Sequence, residues 1–176
     1  TRISSLLVKQ MSPKCQAVVG IILPWGEYYA KDARTIPPTL YAEMAVQSGI
    51  NFDAFGVELR FGTGEPGGTA RDLLQTSAML DRFGAFGKPL HVTLAGVPSS
   101  GSSPSDGEWR GPWSPSLQGE WMHEVYRIAL SKPFVETITC ARLADGVDTT
   151  GLIDRNGKPK PAFEEIQCLR REIEGA

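Results

Sequence analysis

Two glutamates stand where a carboxylate could act on a bound molecule. Glu58 lies in Asp53–Phe61 (DAFGVELRF), two residues before Arg60. Side chains alternate along a strand, so Val57 and Leu59 share one face and Glu58 and Arg60 the other. A guanidinium so close favours the ionised carboxylate. Such a pair is either a charge held ready for chemistry or an ion pair that braces the fold. Glu27 lies in Pro24-Trp25-Gly26-Glu27-Tyr28-Tyr29, directly after the apolar run Ala17–Leu23. There the rings of Trp25, Tyr28 and Tyr29 offer apolar faces with polar tips. A loop glutamate capping a backbone turn is the alternative for Glu27.

The remaining reactive side chains point to less. Trp109 and Trp113 lie in a long Ser/Gly/Pro-rich loop, where they serve as binding faces or as the loop's own packing. His91 and His123 have no metal-ligand partner at useful spacing, so no metal is expected. Gly62-x-Gly64-x-x-Gly67 matches a dinucleotide fingerprint in letters, but Glu65 inside it would repel a pyrophosphate. It reads as a turn, and no organic cofactor is expected. Cys15, Cys140 and Cys168 are odd in number and lack CxxC spacing, so they read as small buried apolar residues.

Four apolar runs must position these groups: Ala17–Leu23, Asp53–Phe61, Lys88–Ala95 and Phe134–Arg142. Each is short and β-branched and is bounded by turn residues, the pattern of a buried strand. Between them the apolar spacing is helical. Residues 2–11 form an amphipathic helix stopped by Pro13, and residues 39–47 and 71–83 form two more. Leu117, Trp121, Val125 and Ile128 mark the clearest helix, and Phe163, Ile166, Leu169 and Ile173 face inward from the last. The order α-βα-βα-βα-βα, without hairpin signals, predicts parallel strands in an α/β domain over residues 1–176. Half of an eightfold barrel and a flavodoxin-like open sheet both fit this order.

With 176 residues and 41% hydrophobic content the chain can bury a core. A net charge of −2 gives no electrostatic case for nucleic acid or an anionic membrane, and no apolar run reaches membrane-spanning length.

The segment Gly151–Glu165 (GLIDRNGKPKPAFEE) decides between the two architectures. It resembles the closing segment of glycoside hydrolase family 10, the xylanase-like barrels, with Leu152-Ile153-Asp154 and Lys160-Pro161-Ala162-Phe163 in the matching places. Phe55–Arg60 is similar to that family's sixth strand, and His91-Val92-Thr93-Leu94 to its seventh. The resemblance implies the C-terminal half of a (β/α)8 barrel, strands five to eight. It also implies hydrolysis of a β-linked poly- or oligosaccharide, with carbohydrate as the partner and no cofactor.

The same resemblance puts Leu94 where the family has its nucleophile, Arg60 at a histidine, Glu58 at a glutamine and Cys140 at a tryptophan. It places the acid/base glutamate on a strand before Thr1, so the partner expected for this chain is a missing N-terminal half. Retaining glycosidases need two carboxyl groups about 5–5.5 Å apart. With Leu94 unable to attack, Glu58 and Glu27 become the catalytic candidates. Trp25, Tyr28, Arg60, Trp109, Trp113 and Asp145 become the substrate-binding ones, with a turn role as the alternative for Asp145. A catalytically silent carbohydrate-binding barrel is the other reading. Export would follow only from a polymeric substrate. Unpaired outer strands predict that the chain alone self-associates.

Overall fold

The computed structural model describes residues 1–26, 29, 34–62, 68–101 and 109–175. In chain order these form α1 (Arg2–Met11), β1 (Val18–Ile21), α2 (Pro38–Gln47), β2 (Ala54–Arg60), α3 (Leu73–Gly84) and β3 (Leu90–Gly96). Then come α4 (Pro115–Leu130), β4 (Val135–Cys140), β5 (Arg142–Ala144), β6 (Gly151–Ile153) and α5 (Pro161–Glu174). The expected strands and helices are all present, each within a few residues of its sequence-based bounds.

Local chemistry starts the helices. Asp72 accepts from the Gln75 amide at 2.6 Å while the Gln75 side chain accepts from the Asp72 amide, a reciprocal cap on α3. Ser114 caps α4 through the Leu117 amide, and Pro38, Pro115 and Pro161 occupy first-turn positions, where a missing N–H costs nothing.

The main sheet runs β1-β2-β3-β4, every neighbour parallel and next in sequence. A flavodoxin-like sheet reverses its strand order at a switch point, whereas a barrel steps steadily in one direction. The observed order is the barrel's. Four parallel strands alternating with helices make half of such a barrel.

The helices cover one face of the sheet. Phe55, Val57, Leu59, Leu90 and Val92 are fully buried there against Leu80, Phe83, Trp121 and Met122. Phe61 meets Trp121 edge-on at 5.6 Å between ring centres. The other face is open: Val18 is 40% exposed, and Thr93, Thr137 and Thr139 are exposed as well.

Four expectations need correction. A second, two-stranded parallel sheet, β5-β6, was not foreseen. Its strands are three residues each, and β5 is exposed throughout, so neither carries a readable pattern. Gly151 permits the pairing, because a Cβ there would lie 2.4 Å from the Ala144 carbonyl carbon. The apolar stripe of α1 faces outward, with Ile3 75% and Met11 84% exposed, since only Ser5 of that helix is buried. Ile173 is 52% exposed at the free end of α5. Cys15 is exposed and Cys140 and Cys168 are only half-buried, although Cys140 packs against the core.

Replacing Asp72 by Ala removes the side-chain acceptor of the α3 cap, leaving the Gln75 amide without its partner while the backbone bond from residue 72 to Gln75 remains. Urea unfolding should show a loss of about 1 kcal/mol with an unchanged m-value.

Candidate active site at the C-terminal end of the sheet

Glu58 and Arg60 sit on the last turn of pleat in β2, half-buried, while Val57 and Leu59 between them are fully buried on the helix-covered side. The alternation therefore places both charges on the open face. Pairing with β3 is irregular at this level. Val57 pairs with Val92, but Glu58 pairs with Leu94, so Thr93 is an extra residue in the ladder. Its hydroxyl donates to the Val57 carbonyl at 3.3 Å. The consequence is that Leu94 stands directly beside Glu58, one strand spacing away. Glu58 and Arg60 are each engaged by neighbouring groups.

A second acid completes the cluster. Asp148, in the loop between β5 and β6, accepts from the Thr150 hydroxyl at 2.6 Å and lies 3.4 Å from the Arg142 Nε. Burial pushes the proton affinity of this carboxyl up. The Thr150 hydroxyl and amide and the positive charges of Arg142 and Arg60 outweigh that and hold it below its ordinary value. The field of Arg60 therefore reaches the β5-β6 loop, and the open mouth of the sheet carries charges of both signs.

The loops that frame this mouth are fastened by one buried cation. Lys160, 8% exposed in its side chain, donates from Nζ to Asp145 Oδ1 at 2.8 Å, to the Thr149 carbonyl at 3.0 Å and to the Ser99 hydroxyl at 3.1 Å. Asp145 Oδ1 also accepts from the Gly151 amide at 2.9 Å. The fully buried Gln118 of α4 donates to the carbonyls of Val97, Thr149 and Gly151. Asp145 is thus committed to the turn and to Lys160, and its acceptor oxygen faces protein rather than the open mouth.

The tryptophans occupy defined places. Trp25, 8% exposed, packs on Phe61 and carries the Arg71 guanidinium 4.9 Å from its ring centre. Burial lowers the proton affinity of Arg71. Trp109, 6% exposed, carries the guanidinium of Arg110, which pairs with Glu120. Trp113 is equally buried and seals the end of β2. A Cβ on Gly62 would lie 2.3 Å from its indole nitrogen, and Gly62 has a positive φ of 69°. Both rings are therefore mostly covered by the protein itself.

Trp25 and Trp109 keep edges on two adjoining grooves that share Arg71 and Leu74. Sequence reasoning named both rings but not Arg71, Arg142 or Asp148. Glu27, Tyr28 and most of the Gly62–Gly67 turn lie outside the described residues. Among the described residues no three His, Cys, Asp or Glu converge as a metal site, and no helix is long and apolar enough to cross a membrane. His91 faces Glu136 at 3.1 Å and His123 faces Glu165 at 3.0 Å.

Native xylanase 10B from Thermotoga maritima superposes with a TM-score of 0.72 over 99% of this chain and 53% of its own, at 18% identity. Xylanase 10B from Thermotoga petrophila, in complex with xylobiose, gives 0.70 over 97% and 51%, at 17% identity. A GH10 endoxylanase from a sugarcane soil metagenome gives 0.68 over 95% and 52%, at 16% identity. This is the fold of half a family 10 xylanase barrel. No family model and no curated protein matches the sequence. The chain spans about half the length of the xylanases it superposes on.

Lys160→Met leaves Asp145 buried without its cation and should cost about 3–5 kcal/mol in chemical unfolding. The lowered Asp148 carboxyl has a signed consequence. Its contribution is fully present above the unfolded value of about 3.9 and is lost as pH falls through the depressed folded value. A stability–pH series should therefore fall less steeply in acid for Asp148→Asn than for the wild type.

Proposed function

We propose that this chain is half of a glycoside hydrolase related to the family 10 xylanases, acting on a β-linked poly- or oligosaccharide. The observation that carries the reading is Glu58. It stands on the open face near the C-terminal end of a barrel-type strand, where enzymes of this architecture keep their catalytic groups. Leu94, at the position the resemblance gives to the nucleophile, is its immediate neighbour in register. A carboxylate displaced by one strand stands close to the same reacting centre.

In this reading the Glu58 carboxylate, on the same strand face as Arg60, attacks the anomeric carbon and displaces the leaving sugar. The glycosyl–Glu58 ester forms as the glycosidic C–O bond breaks. A second carboxylic acid protonates the departing oxygen, then takes a proton from the water that hydrolyses the ester. That acid belongs to the half of the barrel this chain does not supply, or to Glu27. The rings of Trp25, Tyr28 and Trp109 and the guanidinium of Arg60 are the proposed sugar contacts, with Trp25 and Trp109 acting through their groove edges, while the buried Trp113 packs on Gly62 instead. Asp145 contributes by holding its turn. No metal or organic cofactor enters. Two of the superposed xylanases were solved with xylobiose and with xylotetraose, which supports the choice of ligand class. Export would fit a polymeric substrate.

Leu94 itself favours a second reading, a carbohydrate-binding barrel without turnover, because an alkyl side chain forms no covalent intermediate.

One comparison separates the two. The polypeptide including any residues encoded upstream of Thr1 is assayed for reducing ends released from xylan, with and without Glu58→Gln, and titrated with xylo-oligosaccharides. The glycosidase reading expects turnover that falls about a thousandfold or more in the variant, with binding kept. Binding without turnover in both proteins selects the silent barrel.

A further inference from the structure

We propose that Arg71 and Arg110 receive an oxyanion substituent, a carboxylate or a sulfate, on the sugar chain this protein binds, so that its ligand is an acidic glycan. The inference rests on the glycosidase reading for the sugar and on the grooves beside α3 for the charge.

Each arginine is carried on a tryptophan. The Arg71 guanidinium lies 4.9 Å from the ring centre of Trp25, and that of Arg110 lies 4.3 Å from the ring centre of Trp109. A guanidinium on an aromatic ring gains from the ring's negative face and still has its fork of donors, which matches the paired oxygens of an anion. Glu120 takes an Nη1 hydrogen of Arg110, one of several such donors.

The backbone supports this reading. Among the described residues Arg110 is the non-glycine with a positive φ, 112°. That conformation is strained for a residue with a Cβ and persists only where the surroundings impose it, commonly at ligand sites. Arg71 is partly withdrawn from water, which lowers its proton affinity and leaves an incoming anion less hydration to displace.

The grooves have the size and the sign for such a ligand. Their volumes are about 350 and 450 Å³, within the range of small-molecule sites. One runs from Trp25 along α3 to Arg82 and has no carboxylate among its described lining residues. The other joins Arg71 to Trp109 and Arg110, and its acid, Asp72, is occupied by the Gln75 amide at the α3 cap. Leu74, 78% exposed, is an apolar wall common to both. A chain of net charge −2 thus gathers Arg71, Arg82 and Arg110 along one helix flank. Apolar surface for the sugar rings and cations for their acidic substituents suit a charged chain better than a neutral one. Trp25 and Trp109 follow the C-terminal ends of β1 and β3, the end of the sheet at which Glu58 stands. The walls come from the end of β1, α2, α3 and the loop before α4, neighbours within this chain, so the grooves need no free sheet edge.

The test uses the polypeptide with any residues encoded upstream of Thr1 and measures calorimetric binding of xylohexaose, of xylohexaose carrying one glucuronic acid and of xylohexaose carrying one sulfate ester. At least one charged probe should bind about tenfold or more tighter than the neutral chain, with the preference weakening as salt is raised. Which probe gains distinguishes carboxylate from sulfate. Arg71→Gln and Arg110→Gln should each reduce the preference about threefold or more while leaving xylohexaose binding nearly unchanged. Arg110 is half exposed, so its variant carries the test if Arg71→Gln loses the native circular dichroism. Equal binding of charged and neutral probes overturns the proposal and leaves the glycosidase reading standing. Binding of no probe overturns both. A preference that survives in the folded variants also overturns the proposal, because the anion is then recognised elsewhere.

Discussion

The ammonium of Lys160 is removed from water and replaces its hydration with three oxygens, from Asp145, Thr149 and Ser99. A buried cation is stable only when such partners surround it, and the partners come from separate parts of the chain. Ser99 begins the loop after β3, Asp145 and Thr149 lie between β5 and β6, and Lys160 itself precedes α5. One charge thereby fixes the relation of three segments at the end of the sheet where the open face carries Glu58. Gln118 adds a neutral version of the same connection from α4, through the carbonyls of Val97, Thr149 and Gly151. Without this junction, short strands such as β5 and β6 would have too little buried surface to hold their place.

The junction has a chemical consequence. Asp145 is spent on structure, and Asp148, three residues on, is the acid that shares the mouth with Arg60 and Arg142. The extra residue Thr93 in β3 likewise decides which side chain stands beside Glu58. A single added residue turns every later side chain of a strand to its opposite face, so that irregularity matters more to the site than any one substitution.

Much of the framework could be read from the residues. The β-branched runs around Val19, Val57, Val92 and Ile138 gave the strands, and the spacing of Trp121 and Val125 gave the long helix. Alternation placed Glu58 and Arg60 on one face, because Val57 and Leu59 had to be buried. The segment Lys160-Pro161-Ala162-Phe163 indicated the barrel, and the superposition on xylanases shows that fold. Other features left no local signal. Lysine is almost always solvated, so nothing marked Lys160 as buried until its three acceptors were in place. The Thr93 irregularity depends on the neighbouring strand, and the meeting of Arg60 with Asp148 depends on a loop that folds back across 87 intervening positions of sequence. The outward stripe of α1 had the periodicity of a buried face, and periodicity does not say whether a partner surface is present.

The Lys160 junction should unfold with the sheet as one cooperative unit. Native-state amide hydrogen exchange on the wild-type chain measures this directly. The Ser99 amide bonded to the Thr149 carbonyl, the Gly151 amide bonded to Asp145 and the Lys160 amide bonded to Leu152 are the reporters. These amides should exchange with the same opening free energy as Val57 and Val92 in the core strands. Exchange of these three at the rate of open loops, while Val57 and Val92 stay protected, would contradict it.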